Sequence, residues 1–420
     1  MVTSRRGWQH ARFAPLAALA ALAAAVAFRS PRHTDKPDAQ PPAAVIGGAP
    51  RAAAAGSIAS SGGSDLAAGE GAARMFHGDS AHVHRARARG PVAATLAWSR
   101  SVGGPVAAQV VASPDEQTLY VASLAGELLA LARNGDVRWR VALGDRAYGT
   151  PLVGGDGTVF VGSDAKRLFA ISPAGAVKWR LEVDGECDTS PTFDAAGRVV
   201  FAAGRSVYAV DVSGRVAWRY RAGGKVFSSP AILPSGAAVF GAQDGRVCAI
   251  DSAGKPVFCT ELGADVDASP VVASDAIYVG TDRGDVVRLD PAGAVAWRTA
   301  VGGFVRGGLS LARSGDVLAG VYGPAPRVVR VSPAGLVVGS FSVSGTGAPE
   351  FGVHGAPLED AAHTLYFGAQ DDTLYAVGAG GALLFRFATG GDIDAPATLL
   401  SDGSLVFASE DGSVYNLAIR

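Results

Sequence analysis

The sequence predicts an all-β protein, an eight-bladed β-propeller of four-stranded antiparallel blades with its ring closed by strands from both ends of the domain. Three observations carry that expectation. Trp139, Trp179, Trp218, Phe258 and Trp297 follow one another at intervals of 40, 39, 40 and 39 residues, and a fixed period of that size marks a repeat array. A proline preceded by Ser or Thr recurs in the same register at Pro151, Pro191, Pro230 and Pro270. Within each period, short β-rich runs alternate with glycine or Asp-Gly turns, which leaves no room for a helix of ordinary length.

In chain order, residues 1–27 read as a signal peptide. Arg5, Arg6 and Arg12 form its basic start, Phe13–Ala24 its apolar core, and Ala25-Val26-Ala27 the small-x-small pattern of a cleavage site. The apolar run is shorter than the roughly 20 residues that span a bilayer comfortably. Residues 28–91 are rich in Ala, Gly, Ser and Pro and read as a disordered spacer, because so few bulky apolar residues cannot offset the entropy of ordering. His77, Asp79, His82 and His84 cluster in it. Their side-chain types suit a transition metal if a scaffold closes around one, and otherwise read as a solvated polar patch.

Residues 92–420 carry the propeller. In the second repeat the strand runs are Thr150–Val153, Thr158–Gly162, Arg167–Ile171 and Ala176–Leu181, and four strands per repeat make a blade. Full blades fall near 105–144, 145–181, 182–220, 221–260, 261–299, 300–341 and 342–387. Residues 388–420 hold three strands and stop before an aromatic strand, whereas Thr95–Arg100 is an aromatic strand without its own three. The two remnants complete one another as an eighth blade.

Composition bounds the function. Glycine supplies 56 of 420 residues, and 37 basic against 38 acidic residues leave a formal charge of −1, so the whole chain has no electrostatic footprint for nucleic acid or an anionic membrane. Contact with a membrane is expected only through the amino-terminal segment if it stays uncleaved. Three cysteines exclude a disulfide-stapled fold. Cys248 and Cys259 lie equidistant from the turn at Ala253-Gly254, so a hairpin would place them face to face, as a disulfide or as two buried thiols. Cys187 is left over. No phosphate-binding Gly-x-x-x-x-Gly-Lys loop, His-Glu-x-x-His helix or Gly-x-Ser-x-Gly elbow occurs.

Gly162-Ser163-Asp164, Leu168-Phe169-Ala170-Ile171 and Gly175-x-x-x-Trp179, with Gln243–Asp251 and Asp371–Val377, resemble the repeat of the pyrroloquinoline-quinone-like propeller family. The resemblance covers roughly residues 92–420 and implies a propeller fold. It implies either a binding scaffold or a quinoprotein dehydrogenase that holds pyrroloquinoline quinone and calcium. In the dehydrogenase case, Asp188, Asp267 or Asp394 would be the base and Arg306 the quinone partner. Large blade insertions and an adjacent Cys-Cys pair, typical of such enzymes, are both missing.

One repeat position varies in chemistry while its neighbours keep their pattern. Three residues before the marker proline stand Tyr148, Asp188, Phe227, Asp267, Arg306 and His354, with Asp394 in the last repeat after a one-residue gap. This stretch leads into the innermost strand, so the seven side chains are expected at one mouth of the channel. Aromatic and Arg residues are enriched at binding hot spots. The expectation is therefore an exported, non-catalytic binding or scaffold module, periplasmic or at the cell surface, for an envelope protein or polymer, with no cofactor. A quinoprotein dehydrogenase and a surface adhesion or sensing module are the alternatives.

Overall fold

The computed structural model describes residues 73–348 and 351–419. The expected signal peptide at 1–27, and residues 28–72 of the expected spacer, lie outside the described residues. Among the described residues, thirty-two strands form eight four-stranded sheets in a ring, all paired antiparallel. In the second blade, from the channel outward, the strands are Leu152–Val153, Val159–Ser163, Arg167–Ile171 and Val177–Glu182. Blade 8 takes Thr398–Leu399, Leu405–Ser409 and Ser413–Leu417 from the carboxyl end and Leu96–Ser101 from the other end. Leu96 pairs with Leu417 and Ser101 with Ser413, which closes the ring. No helix among the described residues is long and apolar enough to cross a membrane.

The two middle strands of each blade are mostly buried, and the second is an apolar run such as Val199–Ala203, buried along its whole length in every blade but the seventh, because both faces of the sheet meet a neighbouring blade. The outermost strand, one face wet, alternates instead. Each core cluster accordingly lies between blades. One of them joins Leu119, Val121, Leu129 and Leu131 of blade 1 to Val406, Ala408 and Val414 of blade 8, with Trp98 at its edge.

The recurrent aromatic is the latch between blades. The outermost strand bulges one residue before it, so that Trp139 pairs with Ala130 while Val137 pairs with Leu131, and a bulge re-aims the side chain that follows. The ring then lies on a glycine of the next blade's outer turn. A Cβ added at Gly135, Gly175, Gly214, Gly254 or Gly335 would come within 2.7–2.9 Å of Trp98, Trp139, Trp179, Trp218 and Trp297 respectively, and Phe258 meets Gly293 in the same way. These glycines also adopt positive φ, for example +83° at Gly175. Four indole N–H groups donate to a carbonyl in that turn: Trp98 to Arg133 at 3.1 Å, and Trp139, Trp179 and Trp297 to Pro173, Val212 and Pro333 at 2.9 Å. Cys248 and Cys259 sit opposite one another on adjacent strands of blade 4 and form a disulfide. Cys187 is free and buried.

The expected boundary at residue 92 moves towards the amino end. Residues 73–91, expected as the end of a disordered spacer, are ordered and run around the channel against the innermost strands. Ala73, Arg74, Ser80, Ala81, Val83 and His84 offer carbonyls to the backbone N–H of Ala112, Val153, Ile232, Val272, Leu311 and Glu359, one in each of six blades. Composition hides this segment because backbone hydrogen bonds hold it, not a run of large apolar side chains. Its histidines form neither a solvated patch nor a metal site. His77, His82 and His84 are 1%, 1% and 2% exposed, His77 stacks on His84 at 4.6 Å and on Phe76 at 3.6 Å, and no metal-holding group of His, Cys, Asp or Glu exists among the described residues.

Trp98→Ala removes the latch of the closing blade and should cost about 2–4 kcal/mol, as buried large-to-small changes do. Urea unfolding checks it, and an unchanged midpoint would refute the closing role of this strand. Burial pushes His82 and His84 down to about 4, against 6.5 in a free side chain. The folded chain thus binds fewer protons than the unfolded one over that window, and their contribution to stability is present above about pH 6.5 and lost as pH falls toward 4. Burial pushes Asp79 up to about 6, which opposes folding as pH rises from about 4 to 6 and offsets part of the effect. The fall in melting temperature between about pH 7 and pH 5 should be smaller in the double variant His82→Gln/His84→Gln than in the wild type.

Candidate functional site

The stretch before each innermost strand turns inward at one mouth of the channel, and the repeat brings the same position of every blade to the same height. Tyr148, Asp188, Phe227, Asp267, Arg306, His354 and Asp394 all line one cavity of about 510 Å³. Blade 1 contributes Ala107 at the equivalent position, and Phe76 of the channel segment also lines the cavity. Two residues further along each strand, a ring of hydroxyls fixes the blades to one another. The N–H groups of Gln109, Thr150, Ser190 and Ser229 donate to the side-chain oxygens of Thr150, Ser190, Ser229 and Ser269 at 2.9–3.1 Å. Gly308 breaks the series in blade 6, where a Cβ would strike His77 of the channel segment.

Sequence reasoning missed a second set of residues, which stands 24 positions before the rim residue. Gln243 donates to Asp267 and Gln370 to Asp394, each at 3.3 Å, and Arg306 donates to Asp282 at 2.9 Å. In the equivalent pair, Asp164 faces Asp188. The constant spacing of 24 across four blades was the available signal, visible once the rim position is aligned.

The electrostatics follow from these pairings. Desolvation, then the hydrogen bond and charge of Asp164, push the Asp188 carboxyl well up. Desolvation pushes Asp267 up to about 6, and Asp392 beside the mouth up to about 7, with the charges of Asp394 and Glu410 adding to it. Desolvation lowers His354, but its ion pair with Asp394, with 3.6 Å between Nδ1 and Oδ2, outweighs that and raises it. The arginines that line the cavity are committed, Arg146 to Asp164 at 3.0 Å and Arg306 to Asp282. The Oδ1 atoms of Asp164, Asp188, Asp267 and Asp394 are buried without a hydrogen-bond partner.

Two aromatic rings stay open beside these carboxylates. Tyr148 is 38% and Phe227 37% exposed, and each carries a cation over its face, Arg146 at 5.6 Å and Lys225 at 5.7 Å. The mouth therefore offers two half-exposed aromatic rings beside a set of carboxyl groups. That donor set does not fit pyrroloquinoline quinone, a tricarboxylate. Its acids would face carboxylates already resisting ionisation, and Arg306, the expected quinone partner, is held by Asp282. The carboxylates do not converge on a point that could hold calcium either.

A family profile described as outer membrane protein assembly factor BamB matches residues 85–156, 153–265 and 244–320. No curated protein matches the chain in sequence. Among solved structures, BamB from Moraxella catarrhalis is 18% identical, with 77% of this chain and 99% of that one covered at a TM-score of 0.65. A quinohemoprotein alcohol dehydrogenase from Comamonas testosteroni is 15% identical, with 83% and 81% covered at a TM-score of 0.70. Sqt1 of Saccharomyces cerevisiae is 10% identical, with 78% and 100% covered at 0.67. At 10–18% identity these neighbours show the fold alone. The profile, by contrast, follows the repeat itself over more than half of the chain, which belongs to the pyrroloquinoline-quinone-like propeller family described as outer membrane protein assembly factor BamB.

Proposed function

We propose that this chain is an exported, non-catalytic binding module that holds an envelope protein or polymer at the channel mouth. One observation carries the reading: the rim residues of seven blades meet around a single cavity that sets carboxyl groups beside the half-exposed rings of Tyr148 and Phe227. A donor-rich, cationic segment of a partner would satisfy both, with apolar portions on Tyr148 and Phe227 and N–H groups on Asp188, Asp267 and Asp394. The assembly role printed for the family supports a partner that is itself an envelope protein. The carboxyl groups of the rim disfavour an anionic quinone, so binding is favoured over the dehydrogenase reading.

Rim aromatics at a hot spot are worth roughly 1–2 kcal/mol each, so Tyr148→Ala with Phe227→Ala should weaken partner binding by about tenfold or more while leaving the melting temperature unchanged. Native mass spectrometry of the protein drawn from its own envelope, wild type against variant, reads this directly. A companion retained by the double variant would move the site away from this mouth. Asp188 tests the electrostatics. Its raised carboxyl opposes folding increasingly as pH climbs above about 4. Asp188→Asn should therefore melt higher than wild type at about pH 8, with the gap closing at about pH 5, and should bind the partner more weakly.

A further inference from the structure

One blade interface lacks its aromatic latch. The register that pairs Trp297 with Arg288 in blade 5 pairs Gly339 with Arg330 in blade 6. A Cβ placed on Gly339 would meet only Arg330 Cβ, at 3.9 Å, and nothing lies within 4 Å of one placed on Gly381, the turn glycine of blade 7. At the other seats that glycine carries a ring. What remains is a groove of about 290 Å³, lined by Leu318, Arg330, Gly339, Phe341, Ala379 and Gly381 among others.

The groove keeps the parts that seat an indole elsewhere. Gly381 has φ +81°, matching the occupied turns. Ala379 stands two residues before Gly381, as Pro173, Val212 and Pro333 stand before their glycines, and those are the carbonyls that accept the indole N–H at 2.9 Å. Arg330 is held by Asp316 at 2.7 Å, as Arg288 beside Trp297 is held by Asp275 at 2.9 Å. Val338, which lines the groove, is 55% exposed, and the neighbouring Leu336 and Val337 in blade 6 and Leu383 and Leu384 in the outermost strand of blade 7 are 65%, 50%, 47% and 41% exposed. Apolar residues gathered around a concave seat mark an interaction site.

We infer that the groove between blades 6 and 7 is a receptor for a tryptophan side chain presented by a partner polypeptide. The occupant follows from the molecule's own repeat. Five equivalent seats hold an indole, and this seat shares with them the turn glycine and the carbonyl two residues before it, and with the Trp297 seat the supporting Arg–Asp pair. The flanking leucines and valines would cover the apolar residues beside that tryptophan. The site lies outside the channel mouth and does not depend on the rim reading.

The test uses 5-fluorotryptophan, acetylated and amidated, observed by fluorine NMR against the full chain. Wild-type protein should broaden and shift the resonance at millimolar concentration. Gly339→Trp, which fills the seat from within, should weaken that binding by at least about tenfold and raise the melting temperature by a few degrees. Gly339→Phe gives the same reading if the larger ring fails to fold. No binding to wild type, or equal binding to wild type and both filled variants, overturns the inference. A wild-type dimer dispersed by Gly339→Trp would also overturn it, since a second copy would then be the occupant.

Discussion

An isolated blade of this protein is a twisted sheet with two apolar faces and no way to bury either, so every blade depends on its neighbours and the whole depends on closure. The interaction that enforces closure is the aromatic ring laid on a glycine turn. It requires three local features in register: a bulge to re-aim the ring, a glycine at positive φ to receive it, and a carbonyl two residues earlier to take the indole proton. Each feature is cheap alone. Together they set the angle between blades, because the ring reaches only one place on the next sheet. That is why the forty-residue period is so strict through the first five blades, and why the only long interval falls after blade 6, where the ring is Gly339.

Closure leaves a second problem at the axis. The innermost strands are mostly two residues long, and their inward N–H groups have no further strand to pair with. A buried unpaired donor costs about 1–3 kcal/mol, and the segment at 73–88 answers with carbonyls in six blades. The segment is thus part of the sheet system rather than a leader to it. Its three histidines at positive φ, 56°, 61° and 57° for His77, His82 and His84, let the chain follow the tight circle. The His77 ring fills the room that Gly308 leaves.

The fold was legible in the sequence because the latch is: one aromatic per period, preceded by glycine, is a pattern that only a ring of repeats produces. The rim was legible for the same reason, since Tyr148, Asp188 and their equivalents were found by register alone. The channel segment was not. Residues such as Ala73, Ser80 and Ala81 act through backbone carbonyls, and a carbonyl leaves no trace in side-chain composition. The pairing of Asp164 with Asp188 was also hidden, because Gly162-Ser163-Asp164 reads as turn chemistry and only the ring places it against the rim. The vacant seat lay in view as the point where the aromatic series ends after Trp297, but a missing residue acquires meaning only when the other seats are seen filled.

These constraints act on different residues, and that separation has a functional consequence. Stability resides in the aromatic seats, the hydroxyl ring from Thr150 to Ser269 and the axial carbonyls, none of which involves the rim side chains. The rim position is therefore free to hold Tyr, Asp, Phe, Arg or His without disturbing the ring, as it does here. The Asp164–Asp188 pair goes further, since it holds a desolvated carboxyl against a second one, a cost that a scaffold bears when its closure is over-determined elsewhere. A ring built this way can keep its architecture while its mouth changes chemistry, so relatives with the same blades need not share a ligand. The specificity of this protein is thus to be sought in the few positions where its repeat departs from itself: the carboxylate pair at the mouth and the glycine where a tryptophan belongs.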